Sequence, residues 1–107
     1  MGQRNNMLVI NGVSFDLDAI SSLCRRAGVV RAYLFGSILT DRFTPQSDVD
    51  ILVETDADHR PGLLALGGLQ MDLSELVGRT VHLSMLSGVP MEDRRRLLSG
   101  ARVLDAA

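Results

Sequence analysis

Aromatic residues are scarce in this chain of 107 residues, which contains no tryptophan, one tyrosine and three phenylalanines. Proteins that bind single-stranded nucleic acid stack bases on aromatic side chains, and few such side chains are present. The formal net charge of −2 also provides no broad basic surface that would attract a phosphate backbone. The composition therefore argues against direct binding of nucleic acid.

Cysteine and long apolar runs are scarce as well. The single cysteine, Cys24, cannot form a disulfide within the chain, which is typical of a reducing cytoplasm. It falls on an apolar helical stripe, a position that favours a buried core thiol over a nucleophile. No signal-peptide pattern opens the sequence and no apolar run is long enough to cross a membrane. We therefore expect a cytoplasmic protein that has no membrane partner.

Apolar residues, in contrast, make up 46% of the chain, which is enough for a hydrophobic core and makes disorder unexpected. A chain of this length corresponds to one domain. No linker composition or internal repeat divides the sequence, so we expect a single domain over residues 1–107.

One short pattern carries chemistry. Gly36-Ser37 ends an apolar run, ten residues follow, and Asp48-Val49-Asp50 opens a second apolar run. Side chains alternate between the faces of a strand, so Asp48 and Asp50 would point the same way. Two carboxylates at so short a distance repel each other unless a cation lies between them. Mg²⁺ is a suitable cation because it prefers oxygen ligands. Gly36 permits close backbone approach and Ser37 stands at a predicted helix start, so the pattern indicates a metal-dependent nucleotide site.

The Gly-Ser pair, its spacing and Asp-x-Asp resemble the signature of the DNA-polymerase-beta-like nucleotidyltransferase superfamily. In a short chain, Leu34-Phe35-Gly36-Ser37 is most similar to the minimal nucleotidyltransferase (MNT) members, and the resemblance extends over roughly residues 17–104. It implies an α/β (α+β) fold, with a small mixed β-sheet and helices packed mainly on one face. It also implies Mg²⁺ in a two-metal site, ATP as substrate, and a partner that is a HEPN-domain toxin.

The resemblance further implies roles for individual residues. The metal ligands would be Asp48 and Asp50. Phosphate contacts would come from the turn and the loop after it, at Gly36, Ser37, Arg42 and Ser47. For Arg42, a solvated surface arginine is an equally good interpretation.

Residue 82 departs from the family pattern. A third carboxylate normally follows on the next strand, but the stretch that begins at Gly78-Arg79 places His82 in that position. An imidazole can take a proton near neutral pH, yet it is a poor ligand for Mg²⁺. His82 is therefore either part of an adapted or weakened active site, or a strand histidine without a catalytic role. Asp72 and Glu75 could substitute for the acid, but a solvated helix face suits them better.

Turn signals and apolar periodicity predict short elements. Residues 7–15 predict a hairpin with an Asn11-Gly12 turn, or otherwise an ordered leading segment. Asp16 or Asp18 would cap a helix that ends near Ala27. The remaining predictions are strands over 29–35, 48–54 and 80–86, helical segments over 37–40, 61–77 and 90–98, and a short strand over 102–104.

The long helix after Pro61 contains Gly67-Gly68, and each glycine costs about 1 kcal/mol relative to alanine in a helix. We therefore expect a break or irregularity at this pair. The order helix, strand, strand, helix, strand, helix is consistent with the mixed sheet that the resemblance implies.

Three functions are compatible with the sequence. The first is a nucleotidyltransferase that moves AMP from ATP to a tyrosine hydroxyl of a HEPN toxin and so acts as its antitoxin. The second is an antitoxin that neutralises its partner by occlusion, with an active site weakened at His82. The third is a small regulatory module that binds a nucleotide without transferring it.

Overall fold

The computed structural model describes residues 6–56, 58 and 60–106. The helices, strands and 3₁₀ turns of this part of the chain are, in order, β1 (Met7–Ile10), β2 (Val13–Asp16), α1 (Leu17–Ala27), β3 (Val29–Phe35), a first 3₁₀ turn (Gly36–Leu39), β4 (Val49–Thr55), α2 (Leu63–Val77), β5 (Val81–Met85), a second 3₁₀ turn (Leu86–Gly88), α3 (Met91–Ser99) and β6 (Arg102–Ala106).

A four-stranded mixed sheet in the order β5-β4-β3-β6 organises the fold. β4 runs antiparallel to β3 and parallel to β5, and β6 runs antiparallel to β3 on its other side. α1 and α2 pack together on one face of this sheet. β1 and β2 form a separate antiparallel hairpin, as predicted. The predicted α/β fold, with helices mainly on one face, is confirmed.

The two faces of β4 differ in chemistry. Three aliphatic side chains of this strand are completely buried and belong to the main core: Val49, Ile51 and Val53. Asp48 and Asp50 alternate with them, so their side chains point to the opposite face. Each large aliphatic side chain contributes about 1.5–3 kcal/mol when it is buried. A slip of one residue would bury the carboxylates instead, so this pattern fixes the register.

Local signals set both ends of α1. Oδ1 of Asp16 accepts a hydrogen bond from the backbone N–H of Ala19 at 3.1 Å, so Asp16 is the N-cap. Asp18, the alternative cap, lies in the first turn. Gly28 follows the last turn with a left-handed φ of +80°, and its N–H bonds back to the helix.

α2 runs without interruption from Leu63 to Val77, so the predicted break at Gly67-Gly68 is wrong. Leu69 and Leu73 are buried against the core directly beyond the glycine pair. Their packing outweighs the local cost of the two glycines, because tertiary contacts supply most of the stability of a helix. The helix also begins two residues after Pro61.

The last strand is longer than predicted, since β6 extends to Ala106 and pairs with β3 from Arg31 to Leu34. The other boundaries lie within a residue or two of the expected ones. Within the described residues, no helix has the length and apolar character that crossing a membrane requires.

An ion pair between a buried carboxylate and a partly exposed arginine fastens β6 to α1. Asp105 is 7% exposed, and its Oδ1 accepts a hydrogen bond from Nη2 of Arg25 at 3.1 Å. Nη1 of Arg25 lies 2.9 Å from Oδ2 of Asp105. That contact is charge attraction without hydrogen-bond geometry. Nη1 also donates a hydrogen bond to the carbonyl of Val29 at 2.9 Å. Loss of Arg25 would leave the buried carboxylate of Asp105 without a compensating charge, so the pair helps to hold β6 in place.

The thiol of Cys24 is completely buried, as predicted for a core residue. Burial raises the pKa of this thiol to about 11, the negative charge of Asp105 adds to the rise, and Arg25 opposes it. A thiol held in its protonated form is a poor nucleophile. Cys24 is therefore part of the packing of the core.

We expect Cys24 to ionise near pH 11 in the folded protein and at about pH 8.5 in denaturant. Between those values the folded state keeps a proton that the unfolded state has lost, so the free energy of unfolding falls as the pH rises. Thiolate absorbance measures both titrations, with Cys24→Ala as the background. Rapid alkylation of the native thiol at mildly alkaline pH would contradict this assignment.

Candidate active site

The turn after β3 depends on Gly36. Its φ is +83°, in the left-handed region that favours glycine. Oδ2 of Asp50 occupies the adjacent space, since a Cβ on residue 36 would lie 2.6 Å from that oxygen. The Gly-Ser pair and the Asp-x-Asp pair therefore meet in the folded protein, although ten residues separate them in the sequence.

Strand pairing places three side chains in one row across the sheet. Asp50 pairs with Phe35 of β3 on one side and with His82 of β5 on the other. Directly paired residues share a face of the sheet, and Asp48, two residues before Asp50, shares it too. This face is opposite to the one that α1 and α2 cover, and the Asp48 and His82 side chains are 45% and 58% exposed.

His82 lies beside Asp48. Its Nε2 is 2.6 Å from Oδ2 of Asp48, a short hydrogen-bonding distance. A neutral imidazole that donates from Nε2 leaves Nδ1 free to accept a proton. The parallel pairing of β4 and β5 thus brings His82, where the sequence resemblance expects a third acid, next to Asp48.

Arg79 supports the loop that leads into Asp48. Its Nη1 donates to the carbonyl of Ser47 at 2.7 Å and to the carbonyl of Thr44 at 3.2 Å. Its guanidinium also lies over the ring of Phe43, 4.6 Å from the centroid. Sequence reasoning missed this role, because nothing near Arg79 in the chain points to a loop more than 30 residues away.

Asn11 supports the turn on the other side. Its Nδ2 donates to the carbonyls of Ile38 and Thr40, at 2.7 and 2.9 Å. The sequence predicted Asn11-Gly12 as a hairpin turn, and Asn11 has the positive φ of +50° that such a turn requires. The amide therefore connects the N-terminal hairpin to the turn that starts at Gly36, a contact that local turn signals do not reveal.

The residues predicted to bind phosphate differ in whether their polar groups already make hydrogen bonds within the protein. Ser37 lies in the first 3₁₀ turn, and its carbonyl accepts hydrogen bonds from the N–H and the hydroxyl of Thr40, both at 2.9 Å. The hydroxyl of Ser47 is engaged with Thr44, whose N–H donates to it at 3.0 Å. Arg42 is exposed, and its side chain makes no hydrogen bond or ion pair within the described part of the chain.

Asp72 and Glu75 do not contribute to this site. Both lie on α2, which packs on the face of the sheet opposite to Asp48 and Asp50. Both are exposed, as the interpretation as a solvated helix face predicted.

The donor atoms suit a divalent ion only in part. Asp48 and Asp50 supply carboxylate oxygens, which Mg²⁺ prefers, and Mg²⁺ usually takes its other ligands from water and phosphate. His82 offers nitrogen, a poor ligand for Mg²⁺, and this nitrogen is engaged with Asp48. Among the residues that the structure describes, no group of three or more His, Cys, Asp or Glu side chains is arranged to hold a metal. A metal here would depend on two carboxylates.

A groove of about 460 Å³ opens beside Gly36, between the end of β3 and α3. Its lining combines apolar and charged side chains: Phe35, Val89, Leu97, Asp93 and Arg96. Ligand pockets commonly enclose about 300–1,000 Å³. The groove shares Gly36 with the turn beside Asp50, so it adjoins the candidate site, although neither Asp48 nor Asp50 lines it.

Comparison with known proteins identifies the family. Residues 18–104 match the family described as the nucleotidyltransferase domain. A comparison with curated proteins gave no match. A solved structure described as a minimal nucleotidyltransferase is 33% identical, with 79% of this chain and 85% of that chain aligned and a TM-score of 0.68.

Two further structures are more distant and show the fold alone. A toxin–antitoxin with AMP-PNP is 21% identical over 87% of this chain and 75% of that chain, with a TM-score of 0.67. A tri-AMPylated Shewanella oneidensis HEPN toxin in complex with its MNT antitoxin contains a chain 20% identical over 85% of this chain and 70% of that one, with a TM-score of 0.59.

The family match covers the strand that carries Asp48 and Asp50, the turn at Gly36 and the strand that carries His82. These are the elements that the tertiary structure brings together on one face of the sheet. This chain belongs to the nucleotidyltransferase domain family and has the polymerase-beta-like fold of minimal nucleotidyltransferases.

Proposed function

We propose that this protein transfers AMP from ATP to a tyrosine hydroxyl of a HEPN-domain toxin and so acts as its antitoxin. The contact between Gly36 and Oδ2 of Asp50 carries the proposal, because phosphates held at the turn would lie directly beside the carboxylates. The similarity to an MNT antitoxin that was solved in complex with a tri-AMPylated HEPN toxin supports a HEPN toxin as partner and AMP as the transferred group.

In the proposed reaction, the oxygen of the acceptor hydroxyl bonds to the α-phosphorus of ATP. The bond from that phosphorus to the bridging oxygen breaks, and pyrophosphate leaves with its electron pair. Nucleotidyltransferase domains generally use a nucleoside triphosphate and a divalent metal. Here Mg²⁺ would be held by Asp48 and Asp50, where it would neutralise charge on the phosphates.

Residues of the turn position the nucleotide in this proposal. Gly36 and Ser37 offer backbone N–H groups and a hydroxyl to the β- and γ-phosphates. Arg42, which is exposed and close in sequence to the turn, adds positive charge. Ser47 acts mainly through the loop, since its hydroxyl is bonded to Thr44. The groove beside Gly36 is the place that we assign to the nucleoside.

His82 takes the proton of the acceptor hydroxyl in this proposal. Its Nε2–H donates to Asp48, and Nδ1 is then the free base. Asp48 would stabilise the imidazolium that forms, as a carboxylate does when it is hydrogen-bonded to a catalytic histidine.

A non-catalytic antitoxin is the second candidate, and the nitrogen at position 82 favours it. With His82 in place of the third acid, two carboxylates of the described site, Asp48 and Asp50, would have to hold a metal. In this alternative the protein neutralises its partner by covering it. Such inhibition needs one copy of this protein for each bound partner, whereas an enzyme acts at substoichiometric amounts.

Asp48→Asn and Asp50→Asn should each reduce transfer by about 100-fold or more, because each removes charge from the centre of the site. Intact-mass spectrometry of the toxin, mixed with Mg²⁺, ATP and a substoichiometric amount of this protein, measures the addition of AMP. Asp72→Asn, which removes an exposed carboxylate of α2 on the opposite side of the sheet, serves as the charge control and should leave transfer unchanged. Neutralisation without added mass, at one-to-one stoichiometry, would establish the occlusion alternative.

Gly36→Ala should abolish ATP binding, because the new methyl group would displace the carboxylate of Asp50. Gly78→Ala is the matched control, since Gly78 has a φ of +77° and open space around its Cβ position. Both variants should lose about 1–2 kcal/mol of stability from left-handed strain. Calorimetric titration with ATP separates them, and equal ATP affinity in the two variants would refute the contact as the basis of the site.

His82→Asp should raise Mg²⁺-dependent transfer by about tenfold, because carboxylate oxygen suits Mg²⁺ better than nitrogen and serves as a base. Ser84→Asp places the same charge on the same face of β5, two residues further along, and should not change the rate. Steady-state transfer assays compare the two variants. A loss of activity in His82→Asp alone would show that the imidazole itself is required.

A further inference from the structure

β5, the strand that carries His82, lies at the edge of the sheet. Among the strands that the structure describes, it has a single neighbour, β4. The outer side of an edge strand presents backbone N–H and C=O groups that no other strand pairs. Such groups need partners elsewhere, and an edge strand without them opens more readily than the centre of a sheet.

Two side chains of α2 supply such partners. The backbone N–H of Val81 donates a hydrogen bond to Oγ of Ser74 at 2.9 Å, and the backbone N–H of Leu83 donates to Oε1 of Gln70, also at 2.9 Å. Gln70 and Ser74 are four residues apart in the helix, so they lie on the same side of it. Both hydrogen bonds are partly buried. α2 therefore holds the outer side of β5 at two alternate residues.

The residue between those two positions is His82. Its side chain is 58% exposed, so packing does little to fix it, and the backbone of β5 determines where the imidazole lies. On the inner side of β5, the N–H of Val49 donates to the carbonyl of Thr80 at 2.9 Å, and Asp50 pairs with His82. The backbone around His82 is therefore held from both sides, by β4 and by α2.

Ser74 also holds the turn that leads from α2 into β5. Its carbonyl accepts hydrogen bonds from the N–H of Gly78, at 2.9 Å, and from the N–H of Arg79, at 3.2 Å. Its hydroxyl accepts the N–H of Val81, two residues further on. One residue of α2 therefore anchors both the start of β5 and Arg79, whose side chain supports the loop before Asp48.

We infer that Gln70 and Ser74 are positioning residues of the candidate active site, which hold His82 against Asp48 by fixing the backbone on either side of it. The contact that they protect is short, since Nε2 of His82 lies 2.6 Å from Oδ2 of Asp48. A shift of β5 by about an ångström would take these atoms beyond hydrogen-bonding distance. Gln70 and Ser74 act through the backbone, because α2 packs on the other face of the sheet.

A consequence for catalysis follows, and it rests on the proposed function, in which His82 takes the proton of the acceptor hydroxyl. Loss of either hydrogen bond should lower kcat and leave the KM for ATP unchanged. The reason is that the turn at Gly36, which would hold the phosphates, follows β3 on the other side of β4. The effect on the position of His82 itself does not depend on the reaction.

Gln70→Met tests the positioning without reference to activity. It removes the acceptor but keeps a flexible side chain of similar length and helix propensity. In metal-free protein at mildly alkaline pH, where an imidazole is neutral, the ring nitrogen NMR signals of His82 should show the proton on Nε2. In the variant both ring nitrogens should share it, and the Leu83 amide should exchange hydrogen about tenfold faster. Gln70→Glu keeps an oxygen acceptor and should match the wild type.

Ser74→Ala tests the second hydrogen bond independently and should change the same signals. Ser74→Thr keeps the hydroxyl and is its control. The chain has two histidines, so His82→Gln identifies the ring signals that belong to His82. A purely structural role for the two hydrogen bonds would lower the melting temperature alone. Ring signals of His82 that stay unchanged in both Gln70→Met and Ser74→Ala would therefore overturn the inference.

A double-mutant cycle links the position of His82 to transfer. Gln70→Met should lower kcat by about tenfold and change the KM for ATP by less than about twofold. In a His82→Ala background the same substitution should have no further effect, because the residue that it positions is gone. Additive losses in the double variant would overturn the role in catalysis. Absence of transfer by the wild-type chain would refute the proposed function, and the ring signals would then decide the inference by themselves.

Discussion

The pairing of β4 with β3 on one side and with β5 on the other is the constraint on which the site depends. One face of β4 must be buried, because Val49, Ile51 and Val53 are all fully enclosed. The alternation of side chains then leaves the two carboxylates no position except the opposite face. Since the register cannot slip without burying charge, the hydrophobic core and the placement of the site have the same physical origin.

Residues outside the Gly36-Ser37 and Asp48-Val49-Asp50 pattern hold the turn and the loop that carry it in place. Arg79 bonds to the loop before Asp48, and Asn11 bonds to the turn after β3. The Arg25–Asp105 pair fastens the edge strand β6 beside β3. A nucleotide site needs its donors fixed before the substrate arrives, and packed or hydrogen-bonded neighbours supply that rigidity. These loop contacts therefore help to fix the geometry of the candidate site, even where the loop side chains do not face it.

His82 gives the site its particular character. Its nitrogen lies against Asp48, at the position where the family resemblance leads us to expect a third carboxylate. A single neighbour of this kind can both orient a carboxylate and accept a proton, but it cannot replace the charge of an acid. In the proposed function, the balance between those effects separates a transferase from a protein that acts by binding alone. The fold and the family are the same in either case.

The sequence by itself determined what depends on a few neighbouring residues: the Asp16 cap, the hairpin at Asn11-Gly12, and the alternation that puts both carboxylates on one face of β4. It also determined the family, through the spacing of Gly36-Ser37 and Asp48-Val49-Asp50. Local propensity gave the wrong answer at Gly67-Gly68, because the packing of Leu69 and Leu73 overrides it. Only the tertiary structure decided that Gly36 contacts Asp50, that His82 reaches Asp48, and that Asn11 and Arg79 support the site. Such contacts join residues far apart in the chain, so they follow from how the strands pair and not from local pattern.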